Sequence, residues 1–375
     1  MPSAIVTGAT GILGREIVSE LGRSPQQWPT VHALSRSKKD EYPQNVVHNH
    51  IDLTSSAKEM AEQLKDVEGE YIFFAAYLAQ DGEKEAADVN GAMLKNFLEA
   101  LKINGADKKI KRVVLTTGAK QYGVHLGVPK NPMEESDKWL TGPDRPPNFY
   151  YGNFMNLATS IGLYCAVSKE LGNGDLVFPG SETFYTKFDC FTYSRLHASF
   201  NTWAALEPKA SNQAFNVVNG DVESWQNLFP KLARKFGTKV KADMFASPPD
   251  KDAASIVQMA KRPPLADFAA ERGLQDNKVL KQSAVEQRID LIKWSQRDDV
   301  KAAWKKLAER EGLEHDAFEK ATWGFLGFVL GRNFDLVISM SKARKAGWTG
   351  YVDSWDALSE CLDELAEEKV LPKFE

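Results

Sequence analysis

Five short β-branched runs fill the first 120 residues and leave few folds open. They are "AIVTGA" (4–9), "TVHALSR" (30–36), "VVHNHIDL" (46–53), "YIFFAAY" (71–77) and "RVVLTTGA" (112–119). Amphipathic stretches such as "GILGREIVSELGR" and "ADVNGAMLKNFLEALKING" lie between several of them. Strand, helix, strand in this rhythm predicts a parallel, doubly wound α/β sheet with right-handed crossovers. The runs are apolar on both faces, as strands buried under helices on each side must be.

The first run ends in "TGATGILGRE", which sets Gly8, Gly11 and Gly14 between a strand and the opening of a helix. Residues without a Cβ allow a tight turn and close approach of a pyrophosphate, and the helix N–H groups then face the anion. Thr7, Gly8, Thr10, Gly11, Ile12 and Gly14 are therefore candidate cofactor contacts in a Rossmann-type domain; the bland reading is a turn that only lets strand and helix pack. The second strand ends in Ser35 and Arg36, followed by Ser37, Lys38 and Lys39, where an NAD enzyme would carry an acid. A guanidinium beside hydroxyls suits a 2′-phosphate, so the expected cofactor is NADPH, unless Arg36 is a solvated loop residue. Asp52 and Leu53 end the third strand, where an adenine would lie or an ordinary turn aspartate would sit.

Composition narrows the class. A net charge of −4 gives no basic footprint for nucleic acid or an anionic membrane. Three scattered cysteines without CxxC or His spacing suggest reduced thiols, no metal site and a cytoplasmic setting. No signal-peptide pattern precedes the first strand, and no run is apolar for long enough to span a membrane. The uncharged run from Gly152 to Ser168 reads as a buried soluble helix. The oligomeric state stays open, a homodimer included.

Reductases of this fold commonly pair a Tyr with a Lys four residues later, and no tyrosine here has one. Tyr164 comes nearest, with Lys169 five residues on, but it sits in an apolar helix. The chemistry needs only a phenol with an ammonium close in space, which favours the phenolate. Lys120 follows the fifth strand at the carboxyl edge of the sheet, where ligands of open α/β sheets bind.

Together "TGATGILG", "DVNGAMLKNFLEAL", "TTGAKQYG", "PPNFYY" and "AFNVVNGDVESWQNLFPKLARKFG" resemble the progesterone 5β-reductase/iridoid synthase-like enone reductases, atypical extended short-chain dehydrogenases. The resemblance covers nearly the whole chain. It implies Lys120 and Tyr150 as the catalytic pair, with Tyr151 structural. It also implies NADPH-dependent 1,4-reduction of a small enone or enal, with hydride delivered to the β-carbon and Tyr150 bonded to the carbonyl oxygen.

After Tyr151 the alternation fails. The chain runs straight into "NFMNLATSIGLYCAVSKELG", and roughly thirty residues, a helix plus a strand of ordinary length, look to be missing. The expectation is a nucleotide-binding unit over 1–151 and the rest of the sheet plus a helix-rich substrate region over 152–375. In it "QAFNVVNG" (213–220) reads as a strand, "SAVEQRIDLIKWSQRDDVKAAWKKLAERE" as helical, and "ASPPDKDAAS" and "KRPPLAD" as flexible ground. The shortened segment threatens catalysis more than cofactor binding, so an inactive NADP(H)-binding protein is a rival; an NADP-dependent epimerase or ketone reductase is another. Phe149, Trp323 and Phe325 are pocket candidates with core packing as the alternative. Asn90 suggests a backbone contact near the site or a helix cap, and Asn219 and Asp221 suggest turn chemistry.

Overall fold

The computed structural model describes residues 2–37, 41–80, 82–140, 157–172 and 174–374. Five parallel strands form the central sheet: β1 (Ser3–Thr7), β2 (Thr30–Ser35), β3 (Val46–His50), β4 (Tyr71–Phe74) and β5 (Arg112–Leu115), in the order β3-β2-β1-β4-β5. Each expected run is a strand, shortened at its carboxyl end where the chain turns towards the ligand edge.

Helices α1 (Ile12–Gly22), α2 (Ala57–Gln63) and α3 (Glu83–Ile103) connect the strands. Ile5, Ile72 and Phe74 pack with Met93 and Phe97 of α3 on one face, while Val6, Ala33 and Phe73 pack with Ile17, Leu21 and Trp28 on the other. Helix α2 opens with a reciprocal cap: Ser56 Oγ accepts from Glu59 N, and Ser56 N donates to Glu59 Oε2.

The second half is built mainly of helices: α4 (Leu157–Glu170), α5 (Glu182–Tyr185), α6 (Ser194–Leu206), α7 (Trp225–Lys235), α8 (Leu291–Gln296), α9 (Asp298–Glu311), α10 (Ala317–Lys320), α11 (Trp323–Gly331), α12 (Ser341–Ala346) and α13 (Ser354–Glu367). Helix α6 lies against α1 and contributes Ala198 and Ala205 to that face of the sheet. Arg112 of β5 ties its far end, donating from Nη1 to the carbonyls of Ala204 and Glu207 at 2.6 Å each.

Helix α4 is buried almost all round, as its uncharged sequence requires. Its partners are α9, α11 and α13, and its side chains join Trp225, Phe229, Trp294 and Leu326 in a core separate from the sheet. It therefore does not stand in for the helix that would normally follow β5 against the sheet.

Three expectations change. Residues 213–220 form no strand; among the described residues β5 pairs with β4 alone, so the sheet offers no sixth strand for this run to extend. Residues Ala284–Gln287, read as helical, form a strand antiparallel to Ser255–Gln258, because four residues are too few for a helical period to show and the run has a partner strand to pair with. The stretch "KRPPLAD" is not linker: Pro264–Phe268 is a 3₁₀ turn whose Leu265 N donates to Val128 O at 2.9 Å.

Candidate functional site

In a parallel sheet every strand ends at the same edge, and the candidate residues gather along it. The turn after β1 needs its glycines. Gly8 has φ +68°, and a Cβ there would lie 2.8 Å from the Ala75 carbonyl oxygen. A Cβ on Gly14 would stand 2.0 Å from the Gly8 carbonyl oxygen, so the first turn of α1 rests directly on the turn that precedes it. Gly11 caps the helix without any side-chain hydrogen bond, which leaves the first N–H groups to an outside acceptor. Gly11 and Ile12 are exposed and Thr10 is half-buried, so the turn is open on that side. Beneath it Thr7 Oγ1 is buried with no hydrogen-bond partner among the described residues. A cradle closed to side chains, an uncapped helix start and an orphaned hydroxyl fit the pyrophosphate of a dinucleotide.

At the end of β2, Ser35 is buried, and its hydroxyl donates to Ser37 O at 2.8 Å and lies 3.0 Å from His48 Nε2. It is thus engaged inside the protein, and Arg36, which is exposed, is left as the group facing outward. Asp52 Oδ1 accepts from Thr54 N at 3.0 Å and Thr54 Oγ1 at 2.7 Å. These bonds hold its carboxyl below the usual range, with smaller help from the charges of Arg36 and His50. Asp52 therefore orders its own turn, and Leu53 is buried beside it.

Lys120 lies in a 3₁₀ turn, Ala119–Tyr122, just past β5. Its Nζ is 3.9 Å from Oε1 of Glu83, the first residue of α3, and the same oxygen is 3.4 Å from His125 Nε2. The His125 hydrogen bond, then the nearby charges, hold Glu83 below the ordinary carboxyl range against the opposing effect of its burial. Tyr77, three residues past β4, is pushed up by burial and by the Glu83 charge. Tyr122 Oη donates to Asn216 Oδ1 at 2.6 Å, and burial raises it to about 12. Glu83 and His125 were not legible in the sequence; the only signal was an acid at a helix start, where acids are common.

Tyr150, Tyr151, Phe149, Lys38 and Lys39 lie outside the described residues. The minor candidates are accounted for. Asn90 is buried and clamps the loop after β4, accepting from Leu78 N at 2.8 Å and donating to the carbonyls of Leu78 and Ala86. Asn219 accepts from Tyr193 N, and Asp221 accepts from Ser354 N and Oγ, so both serve the chain's own turns. Trp323 is buried against Trp294 and Phe318, and Phe325 packs on the same core.

Fold and cradle define an α/β protein of the dinucleotide-binding class. The model of the NAD dependent epimerase/dehydratase family matches residues 4–162. A protein of Schizosaccharomyces pombe is 37% identical over 407 residues, covering 99% of this chain and 98% of its own. An (S)-8-oxocitronellyl enol synthase of Camptotheca acuminata is 24% identical, covering 98% of this chain and 93% of its own. A 3-oxo-Delta(4,5)-steroid 5-beta-reductase of Arabidopsis thaliana is 23% identical at the same coverage. The structure of an epimerase from Methanothermobacter thermautotrophicus superposes with a TM-score of 0.58 at 14% identity, over 98% of this chain and 94% of that one. The chain belongs to the progesterone 5β-reductase/iridoid synthase-like group of extended short-chain dehydrogenases. The alignment with the S. pombe protein is longer than the 375 residues here, so at least 32 of its 407 positions hold no residue of this chain.

Proposed function

We propose that the protein reduces the C=C bond of a small enone or enal, with NADPH as the reductant. The observation that carries this reading is the place of Lys120, on the turn leaving β5 at the sheet edge that also bears the Gly8–Gly14 cradle. A lysine there, without a Tyr-xxx-Lys helix, is what the enone-reducing arrangement calls for. Relatives whose printed names are an enol synthase and a steroid 5-beta-reductase support the same chemistry. Thr7 and the glycine turn would hold the pyrophosphate, and Arg36 would take the 2′-phosphate. When bound, the reduced nicotinamide supplies a hydride to the β-carbon of the substrate. Lys120 orients the nicotinamide ribose and biases the Tyr150 phenol towards donation. Tyr150 meets the carbonyl oxygen as enolate charge develops there, an electrostatic role that pays off only in the transition state. A proton taken up at the α-carbon completes the saturated product. The free thiols Cys165, Cys190 and Cys361 suit a reducing, cytoplasmic setting.

Product analysis tests the reading. Incubated with 2-cyclohexen-1-one and NADPH, the protein should yield cyclohexanone; formation of the allylic alcohol instead would assign it to carbonyl reduction.

One observation favours a second reading, NADP(H) binding without turnover. Among the described residues the sheet stops at β5, and α4 is packed in another core. The support that normally fixes a catalytic phenol within about half an ångström is then reduced, while the phosphate half of the site is complete. Tight NADPH binding with no consumption across a panel of enones would establish it.

A further inference from the structure

We propose that His50 is a second determinant of 2′-phosphate recognition, acting beside Arg36; the inference rests on the NADPH reading above. Strand β3 is the outermost strand on its side of the sheet, and its last residue, His50, is in register with Ser35, the last residue of β2. The ladder continues one step further, with Ile51 N donating to Ser35 O at 3.1 Å. His50 is thereby held beside the chain that leads into Arg36, and its Nδ1 lies 2.9 Å from the Arg36 carbonyl oxygen.

A carbonyl oxygen only accepts, so Nδ1 is the nitrogen that carries the proton in this contact. The neutral ring then has Nε2 as an acceptor, which an anion cannot use. Only the imidazolium presents Nε2 as a donor, so it is in its charged form that His50 would meet a phosphate. A phosphate arriving at the end of β2 would therefore meet the Arg36 guanidinium and the His50 ring side by side. Ser35, the partner suggested by sequence, does not fill this place, because its hydroxyl is bonded to Ser37 O and His48.

Among the described residues, the charged and titratable groups near His50 are Arg36, Asp52 and His48. Arg36 comes from the end of β2, and Asp52 from the turn after β3, where Thr54 holds its Oδ1. His48 lies two residues back on the same strand face, with its ring stacked on Tyr42. His50 itself is exposed, so substitutions there leave the core alone.

Titration calorimetry with adenosine 2′,5′-bisphosphate and 5′-AMP, ligands that differ only in the 2′-phosphate, tests the inference on the full chain without any turnover. His50→Leu should lower the preference for the bisphosphate about tenfold, the worth of one charge-assisted hydrogen bond, with 5′-AMP affinity unchanged. His50→Lys, which keeps a cation, should retain the preference. If His50→Leu keeps the wild-type preference, or His50→Lys loses as much as His50→Leu, the inference is overturned. A wild-type protein that shows no preference at all, with Arg36→Ala indistinguishable from it, would instead overturn the NADPH reading itself.

Discussion

Glu83 Oε1 stands 3.9 Å from Lys120 Nζ and 3.4 Å from His125 Nε2, so one carboxylate at the start of α3 meets two side chains of the segment that follows β5. Glu83 and Lys120 are both about two-fifths exposed, and such pairs add less than about 1 kcal/mol to stability. Glu83→Gln should therefore leave the urea midpoint nearly unchanged. If the contact holds Lys120 over the nicotinamide ribose, the same variant should lower kcat several-fold, with NADPH affinity changed far less. Steady-state kinetics beside a binding titration separate the two effects.

The glycine turn makes a graded prediction. A Cβ on Gly14 would lie 2.0 Å from the Gly8 carbonyl oxygen, whereas one on Gly11 would lie 3.3 Å from the same atom. Backbone cannot yield at the first distance and needs only a small shift at the second. Gly14→Ala should cost roughly 1–3 kcal/mol or more and abolish dinucleotide binding. Gly11→Ala should stay within about 1 kcal/mol and weaken binding only moderately. Thermal unfolding with and without NADPH distinguishes them.

Asp189 and Arg332 form an ion pair at 2.5 Å with both side chains almost fully buried. Arg332 also donates from Nε to Val329 O and lies over the Phe184 ring. Burial pushes the Asp189 carboxyl up, and the guanidinium pulls it back. Arg332→Met alone strands a buried carboxylate and should cost about 3–5 kcal/mol. Asp189→Leu with Arg332→Met should recover most of that loss, which chemical denaturation of the two variants beside the wild type would measure.

His197 is buried in α6 beside Asn201, and burial pushes it down from 6.5 to about 4. The unfolded chain takes up a proton near its ordinary value, and the folded protein refuses it until well below. Stability from this residue is therefore complete above pH 6.5 and is lost as pH falls towards 4, by up to roughly 3 kcal/mol. His197→Gln should flatten the dependence of the urea midpoint on pH across that window.

Strand β5 leaves Val113 40% and Leu115 39% exposed, where an inner parallel strand would bury both. Val113→Lys should reduce any concentration-dependent association seen by light scattering, since a charge on an edge strand blocks pairing with a second chain.

The sheet was legible because buried parallel strands are written as apolar runs, and the cradle because backbone that must pass close to backbone demands glycine. Contacts between distant segments were not. Nothing local marks Glu83 as the partner of Lys120, or Asp189 as the partner of Arg332, and Ser35 reads as an open hydroxyl until His48 is seen beside it. The expected strand at 213–220 failed for a tertiary reason, since among the described residues no sixth strand lies beside β5 for this run to pair with. The opposite error at Ala284–Gln287 arose because four residues are too few for periodicity to tell ribbon from helix.

The central claim is that Lys120 and Tyr150, thirty residues apart in sequence, act together on an activated C=C bond. The most direct measurement is the rate of NADPH consumption with 2-cyclohexen-1-one by the wild type, Lys120→Ala and Tyr150→Phe. The account predicts that each single change lowers the rate by about a hundredfold or more, the scale of a positioned acid or electrostatic group, while NADPH still binds to Tyr150→Phe. Turnover that survives both substitutions would contradict it.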